Sequence, residues 1–228
     1  FAFTGNKFEV RMLGSAFSIA GPNIVLNTAV AESLRQFADR LEQAADFQEE
    51  LAALIRRTIA AHKRIVFNGN SYSDEWVQEA ERRGLSNRRT TVEALPAFVA
   101  PKSVELFTRH HVFSETELRS RTDILLENYS KTLRIEALTM ADMVKRQVIP
   151  ACVAYQNELL QLLSAKKAGG LSAPLEERLS EKIAALSGSL LVKLDALEDA
   201  LLSVEPEAPP LELAAAYRGK VFGAMSEL

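Results

Sequence analysis

A chain of 228 residues with one cysteine cannot close an internal disulfide. Cys152 is the kind of lone thiol that a reducing compartment tolerates, so a cytoplasmic location is expected. Long apolar runs are missing as well. No stretch reaches the roughly 18 residues that a bilayer span needs, and the N-terminus lacks the basic start and apolar run of a secretory leader. Neither sign of charge dominates: 27 Lys and Arg face 30 Asp and Glu, a net charge of -3. That balance gives no general field for nucleic acid or an anionic membrane, and any anion site has to be local. No Gly-Lys-Ser/Thr phosphate loop is present; Asn68-Gly-Asn70 has only turn character. No internal repeat is found.

What the chain does have is enough apolar material, 47% of its residues, to bury a core in one large domain or two small ones. Most of it repeats with helical period. Val30, Leu34, Phe37 and Leu41 mark one amphipathic helix. Asp46 stands where a cap would open a second helix carrying Phe47, Leu51, Leu54 and Ile55. Two antiparallel helices are the simplest arrangement. Ile65-Val-Phe67 reads as strand-like, and Ser73 or Asp74 opens a short helix with Trp76 that stops at Gly84. Ser114-Glu-Thr-Glu117 has capping-box spacing and begins the longest pattern. Its stripe runs through Leu126, Tyr129, Leu133, Met140, Val144, Val148, Cys152, Tyr155, Leu159 and Leu162, with a kink or break expected at Pro150. Ser172 then caps a helix with Pro174 in its first turn and a stripe of Leu175, Leu179, Ile183, Leu186, Leu190, Leu197 and Leu201. After a linker near 205–210, Leu213, Tyr217, Val221 and Met225 mark a last helix.

The exception to this helical pattern is the start, Phe1-Ala-Phe-Thr-Gly-Asn-Lys-Phe-Glu-Val-Arg-Met12. As a strand it sends Phe8, Val10 and Met12 to one face and Lys7, Glu9 and Arg11 to the other, an oily back and a plus, minus, plus front. Such a front suits a site for a divalent metal and polyanionic substrates, but pattern alone favours a solvated strand face with local ion pairing. An isolated strand is marginal in water, so the chain is expected to be cut from something larger at this end, and at its C-terminus too. Other chemical candidates read as structure. His110 and His111 are adjacent, so their rings diverge and the pair reads as a helix end. Arg82, Arg83, Arg88 and Arg89 are diluted by Glu79 and Glu81 into a solvated face. Cys152, with no histidine nearby, reads as a buried inert thiol.

Residues 1–44 resemble the end of the catalytic domain of a type III glutamine synthetase, in the N-terminal segment just quoted and in Ser18-Ile-Ala-Gly-Pro-Asn-Ile-Val-Leu-Asn27. His62-Lys-Arg-Ile-Val-Phe-Asn-Gly-Asn-Ser-Tyr-Ser73, Glu105-Leu-Phe-Thr108 and Ile135-Glu-Ala-Leu-Thr-Met140 resemble the helical C-terminal region of that class. The likeness is weakest from Leu163 to Pro210. It implies ATP-dependent ligation of ammonia to L-glutamate through gamma-glutamyl phosphate, with Mg or Mn. Glu9 is then the acid of the family's Glu-x-Arg strand and a metal ligand, and Arg11 a contact to substrate carboxylate or phosphate. Lys7 sits where other classes commonly carry an arginine associated with nucleotide. The implied partners are glutamate, ammonia, ATP and further copies in a homo-oligomeric ring, with no nucleic acid and no membrane.

The expectation is therefore a mainly α chain of long antiparallel helices, appended to a short β-strand that ends an α+β catalytic domain. Residues 1–45 form the catalytic fragment and 46–228 the helical region. The remaining ligands lie upstream and each site in the family is completed by a neighbouring subunit, so the fragment alone is expected to be inactive. The alternative is a stand-alone helical interaction or assembly protein.

Overall fold

The computed structural model describes Gly14 and residues 17–228. The expected N-terminal strand lies outside these residues. The described residues are predominantly helical. In chain order, α1 spans Ala20–Glu42 and α2 Phe47–His62, the latter followed by a 3₁₀ turn at Lys63–Ile65. Then come α3 (Asp74–Arg82), α4 (Thr91–Ala94) with a 3₁₀ turn at Leu95–Ala97, and α5 (Pro101–Arg109). The long elements come next: α6 (Glu115–Met143), a π-turn at Val144–Val148, α7 (Ile149–Ala168) and α8 (Pro174–Leu202). The chain closes with α9 (Pro210–Ala216), a second π-turn at Tyr217–Val221 and α10 (Phe222–Glu227).

Local chemistry sets these boundaries. Asp46 accepts the amide of Glu49 at 2.9 Å and so satisfies one of the orphan donors that open α2. Thr90 and Glu93 form a reciprocal capping box on α4. At the end of α3 the Gly84 amide donates to the Glu81 carbonyl and the Leu85 amide to Ala80, with Gly84 at φ 69. That is a Schellman turn, which needs a left-handed residue. Gly170, at φ 72, ends α7 in the same way. Two expectations need correction. The residue flanking α8 is Ala173, not Ser172, with Pro174 in the first turn. Ile65 closes a 3₁₀ turn instead of starting a strand, and Val66 after it is extended.

The chain divides into two compact units. One holds the residues up to Asn87 together with Ala100–Glu115. In it α1 packs on α2 and α5, and Thr28, Leu54 and Phe107 are buried. The other holds Arg88–Val99 and Thr116–Leu228. Its core joins Leu133, Ala137, Ala141 and Val144 of the α6 region to Leu194 and Leu197 of α8, Val204, and Tyr217 and Val221 of the last helical segment.

The two long helices of that core carry different periods. Buried positions along α6 fall at Thr122, Leu126, Ser130, Leu133, Ala137, Ala141 and Val144, spacings of four, four and three, an eleven-residue repeat. The inward positions of α8 fall at Glu176, Ser180, Ile183, Ser187, Leu190, Leu194, Leu197 and Leu201, alternating four and three, a heptad. The expected stripe shares Ile183, Leu190, Leu197 and Leu201 with this line but leaves it at Leu175 and Leu186, which are 62% and 59% exposed.

Pro150 does not break the helix. The Ile149 amide donates to the carbonyl of Val144, five residues back, so a π-turn absorbs one extra residue just before the proline. One added residue rotates the downstream helix by about 100°. The stripe steps from Val144 to Ile149, Cys152, Gln156, Leu159 and Leu163, and Val148, Tyr155 and Leu162, expected inside, are exposed. Cys152 is only half-buried.

Leu197 is fully buried in the shared core and Leu202, just over one turn on, is 84% exposed. Leu197→Ala is expected to lower the free energy of unfolding by about 2–5 kcal/mol, and Leu202→Ala to change it by less than about 0.5 kcal/mol. Urea titration of the two variants beside the parent chain checks this contrast.

Candidate functional site

The residues expected to do chemistry, Lys7, Glu9 and Arg11, lie outside the described residues. The first described helix after them is α1, and its most connected polar residue is Glu32. The Glu32 side chain is 12% exposed. It accepts two bonds from Arg35, at 3.1 and 2.9 Å, and one from Gln36 at 2.7 Å, all within α1. From the end of α5 it receives Arg109 Nη1 at 2.8 Å and meets His110 Nε2 at 2.7 Å. Arg35 also pairs with Asp39, and Arg109 with Glu105. A carboxylate accepting from so many donors is held ionised. The Arg35 guanidinium first, then Gln36 and His110, hold the Glu32 carboxyl well below the usual carboxylate range. Glu32 thus clamps α1 to α5.

The end of α5 is shaped to present His110. The His111 amide donates to Thr108 and the Val112 amide to Phe107, a Schellman turn whose left-handed residue is His111 at φ 54. The expected helix end is there, and the two rings have separate duties: His111 takes the turn and His110 reaches Glu32. The signal available in sequence is the run Glu32, Arg35, Gln36, Asp39, spaced for i,i+3 and i,i+4 pairing on one helix face. The α5 half of the clamp has no such local signature.

A second constellation shapes the segment 65–84. Phe67 stacks on Trp76 with ring centroids 4.3 Å apart, and the Arg83 guanidinium lies 5.6 Å from the Trp76 centroid. Arg83 also donates to the carbonyls of Arg64 and Val66, at 3.1 and 2.8 Å. Arg82, then Arg83, hold the Glu79 carboxyl down to about 2. Asn70 makes the turn, its Oδ1 accepting the Tyr72 amide at 3.1 Å. At Gly69 a Cβ would sit 2.8 Å from the Phe67 ring, so this position of the Asn-Gly-Asn turn has no room for a side chain unless the ring shifts. Arg83 is therefore a structural residue, its Nε and Nη1 bonded to Glu79 and to two carbonyls, and not part of the solvated face expected from the charge pattern.

Among the described residues no group of three or more His, Cys, Asp or Glu side chains is placed to hold a metal ion. None of their helices is long and apolar enough to cross a membrane.

This geometry defines a chain whose described residues are mainly helical and form two units, with polar clusters that fix helices against one another. Comparison with known proteins makes the assignment specific. The family model of the glutamine synthetase C-terminal domain matches residues 50–167, just over half of the chain. A glutamine synthetase of Butyrivibrio fibrisolvens is 36% identical over 235 residues, which takes in 100% of this chain and 33% of the relative. The type-3 glutamine synthetase of Dictyostelium discoideum is 41% identical over 168 residues, 72% of this chain and 23% of its own length. A glutamine synthetase of Bacteroides fragilis (strain YCH46) is 37% identical over 171 residues, 73% of this chain and 24% of its own. The chain belongs to the glutamine synthetase C-terminal domain family, and it spans about a third or less of the length of these relatives.

Two outcomes test the α1–α5 clamp. A carboxyl depressed on folding stabilises above its unfolded value, roughly pH 4.3, and that stability is lost as pH falls toward its folded value. Glu32→Gln should therefore melt below the parent chain at pH 7, with the gap narrowing as pH drops from about 5 toward 2; a gap independent of pH would contradict the ionised clamp. At His111 the left-handed backbone costs about 1–2 kcal/mol and glycine returns about 0.5–1 kcal/mol of it as chain entropy. His111→Gly is expected to raise stability by roughly 0.5–1 kcal/mol in urea titration.

Proposed function

We propose that this chain is the C-terminal part of a type III glutamate–ammonia ligase that makes L-glutamine from L-glutamate, ammonia and ATP through gamma-glutamyl phosphate. The single observation that carries the reading is the match of residues 50–167 to the glutamine synthetase C-terminal domain, seconded by relatives of that name at 36% and 41% identity. A stand-alone helical assembly protein is not favoured by these relatives.

In this reading residues 1–45 end the catalytic domain and 46–228 form the class-specific helical region. The boundary falls in the short loop between α1 and α2, and the proline-rich linker near 205–210 falls between α8 and α9. Glu9 is a metal ligand, since a hard carboxylate oxygen suits Mg or Mn. The described residues supply no further ligand set. Arg11 contacts the substrate carboxylate or phosphate with its planar fork of donors, and Lys7 offers a point charge to the nucleotide. The protein works in the cytoplasm as a homo-oligomer.

The long elements are read as antiparallel. Lys166 bonds Glu176 at 2.6 Å beside the turn between α7 and α8, and Lys145 pairs with Glu198 far from it. Both pairs fit two helices running in opposite directions at a constant register.

The test uses the polypeptide at the full length of the relatives. ATP-dependent glutamine formation should fall by on the order of 100-fold or more in Glu9→Ala, beyond what loss of an outer-sphere partner brings. Arg11→Lys should lose activity too, since lysine keeps the charge and loses the fork. Undiminished glutamine formation in Glu9→Ala would overturn the role of that residue.

A further inference from the structure

The α7–α8 pair has an apolar face that the rest of its unit covers only in part. α7 meets α8 along Ile149, Cys152, Leu159 and Leu163, yet Tyr155 and Leu162 on its flank are 48% and 47% exposed. On α8 the exposed Leu175 and Leu186 form the corresponding flank. At about 100° per residue, and with the helices antiparallel, both flanks emerge on the same side of the pair. A cavity of about 340 Å³ opens on that side, lined by residues that include Cys152, Ile183, Leu186, Leu190, Lys193 and Leu228. Further along α8 the core shared with Leu190 and Leu201 is covered by a helix: Val221, Met225 and Leu228 of the terminal segment pack there. The surface is thus one that accepts helices, half filled by α10 and half open.

We propose that a second copy of this chain fills the open half, α7 of each copy lying over α8 of the other. Charge selects this occupant and this arrangement. Glu158 stands on the outer edge of α7 and Lys182 on the outer edge of α8. Both are exposed, and neither has an ion-pair partner among the described residues. The register set by Lys166 with Glu176 and Lys145 with Glu198 puts Glu158 and Lys182 within about 3 Å of the same level along the pair. A two-fold axis parallel to the helices, lying in the plane of the face, brings Glu158 against the partner's Lys182, and does so twice. An axis across the helices would instead set like charges of α7 against each other. Such self-complementarity is what an isologous dimer contact requires. Some 20 residues of each helix give a face about 30 Å long and two helices wide, on the order of 600 Å², close to the ~800 Å² that each partner buries in a stable interface. The inference rests on the antiparallel reading of α7 and α8 and is independent of the enzymatic one.

The 228-residue chain itself is the material for the test, by sedimentation equilibrium over about 1–100 μM, a range that brackets micromolar association. The parent chain should be dimeric. Leu162→Glu and Leu186→Glu, at positions already half exposed, should yield monomers with unchanged far-UV circular dichroism. Glu158→Lys and Lys182→Glu should each weaken the dimer roughly 5- to 10-fold, two rim pairs being lost, and their combination should restore it. A parent chain that stays monomeric throughout, which would leave the face to another segment of a longer polypeptide, overturns the proposal. So does a dimer indifferent to Leu186→Glu, or a charge-reversed pair that fails to restore association. None of these outcomes depends on glutamine formation, so failure here and failure of the enzymatic assignment are separate results.

Discussion

In the larger unit, the other elements depend on the core that α6, α8 and the terminal helical segment share. Ala137 is fully buried and Ala141 nearly so, in one core with Leu194 and Leu197 of α8 and with Tyr217 and Val221 of the terminal segment, which packs directly on α8. An eleven-residue period runs slightly longer than the α-helix's own and a heptad slightly shorter, so the two stripes drift apart along their length. Both reach the shared core, α6 around Leu133–Val144 and α8 around Leu190–Leu201, and there the terminal segment closes it with Tyr217 and Val221. Past Val144 the π-turn re-aims the helix, and α7 rather than α6 becomes the partner of α8. The extra residue is what lets one helical run of the chain serve two different stretches of its partner.

Polar groups where α8 meets α7 act on register more than on stability. Glu176 is buried, and the Lys166 ammonium bonded to it holds its carboxyl below the usual range. Leaving that charge unpaired in a one-residue slip would be costly, whereas a leucine there would tolerate the slip. Ser180, one turn on, is buried with its hydroxyl unpartnered, so this end of α8 does not draw its packing from apolar matter alone. Lys166 with Glu176 near the turn and Lys145 with Glu198 at a distance act as two pins on one alignment.

How much of this is legible in the residues alone depends on whether the cause is local. Caps and stops are legible, because Asp46, Gly84 and Gly170 act within a turn of themselves. Helix existence is legible from period. Faces are less so. A leucine pattern points Tyr155 and Leu162 inward because it cannot announce a π-turn, and it points Leu186 inward because Ser180 and Ser187 do not look like core. The Glu32 clamp is half legible, in its i,i+3 and i,i+4 partners, and half hidden, since Arg109 and His110 arrive from 77 and 78 residues away. As for the chemistry, Lys7, Glu9 and Arg11 stand out by alternation and by resemblance, and the described residues begin just beyond them.

The clamp and the core meet a common need in a chain that carries little chemistry of its own among its described residues. On the proposed reading, a carboxylate two residues from a guanidinium is useful only if its backbone is held to within a fraction of an ångström. α1 is the helix next along the chain, and an amphipathic helix with Val30 and Leu34 more than half exposed is not fixed by burial. What fixes it on the α5 side is charge: one carboxylate, two guanidiniums, an amide and an imidazole. Such a network is directional where apolar packing is not, and its geometry tolerates little displacement before donors lose their acceptor. The clamp therefore suits an element that must be placed accurately, while the leucine and alanine core shared by α6, α8 and the terminal segment suits one that must mainly stay folded.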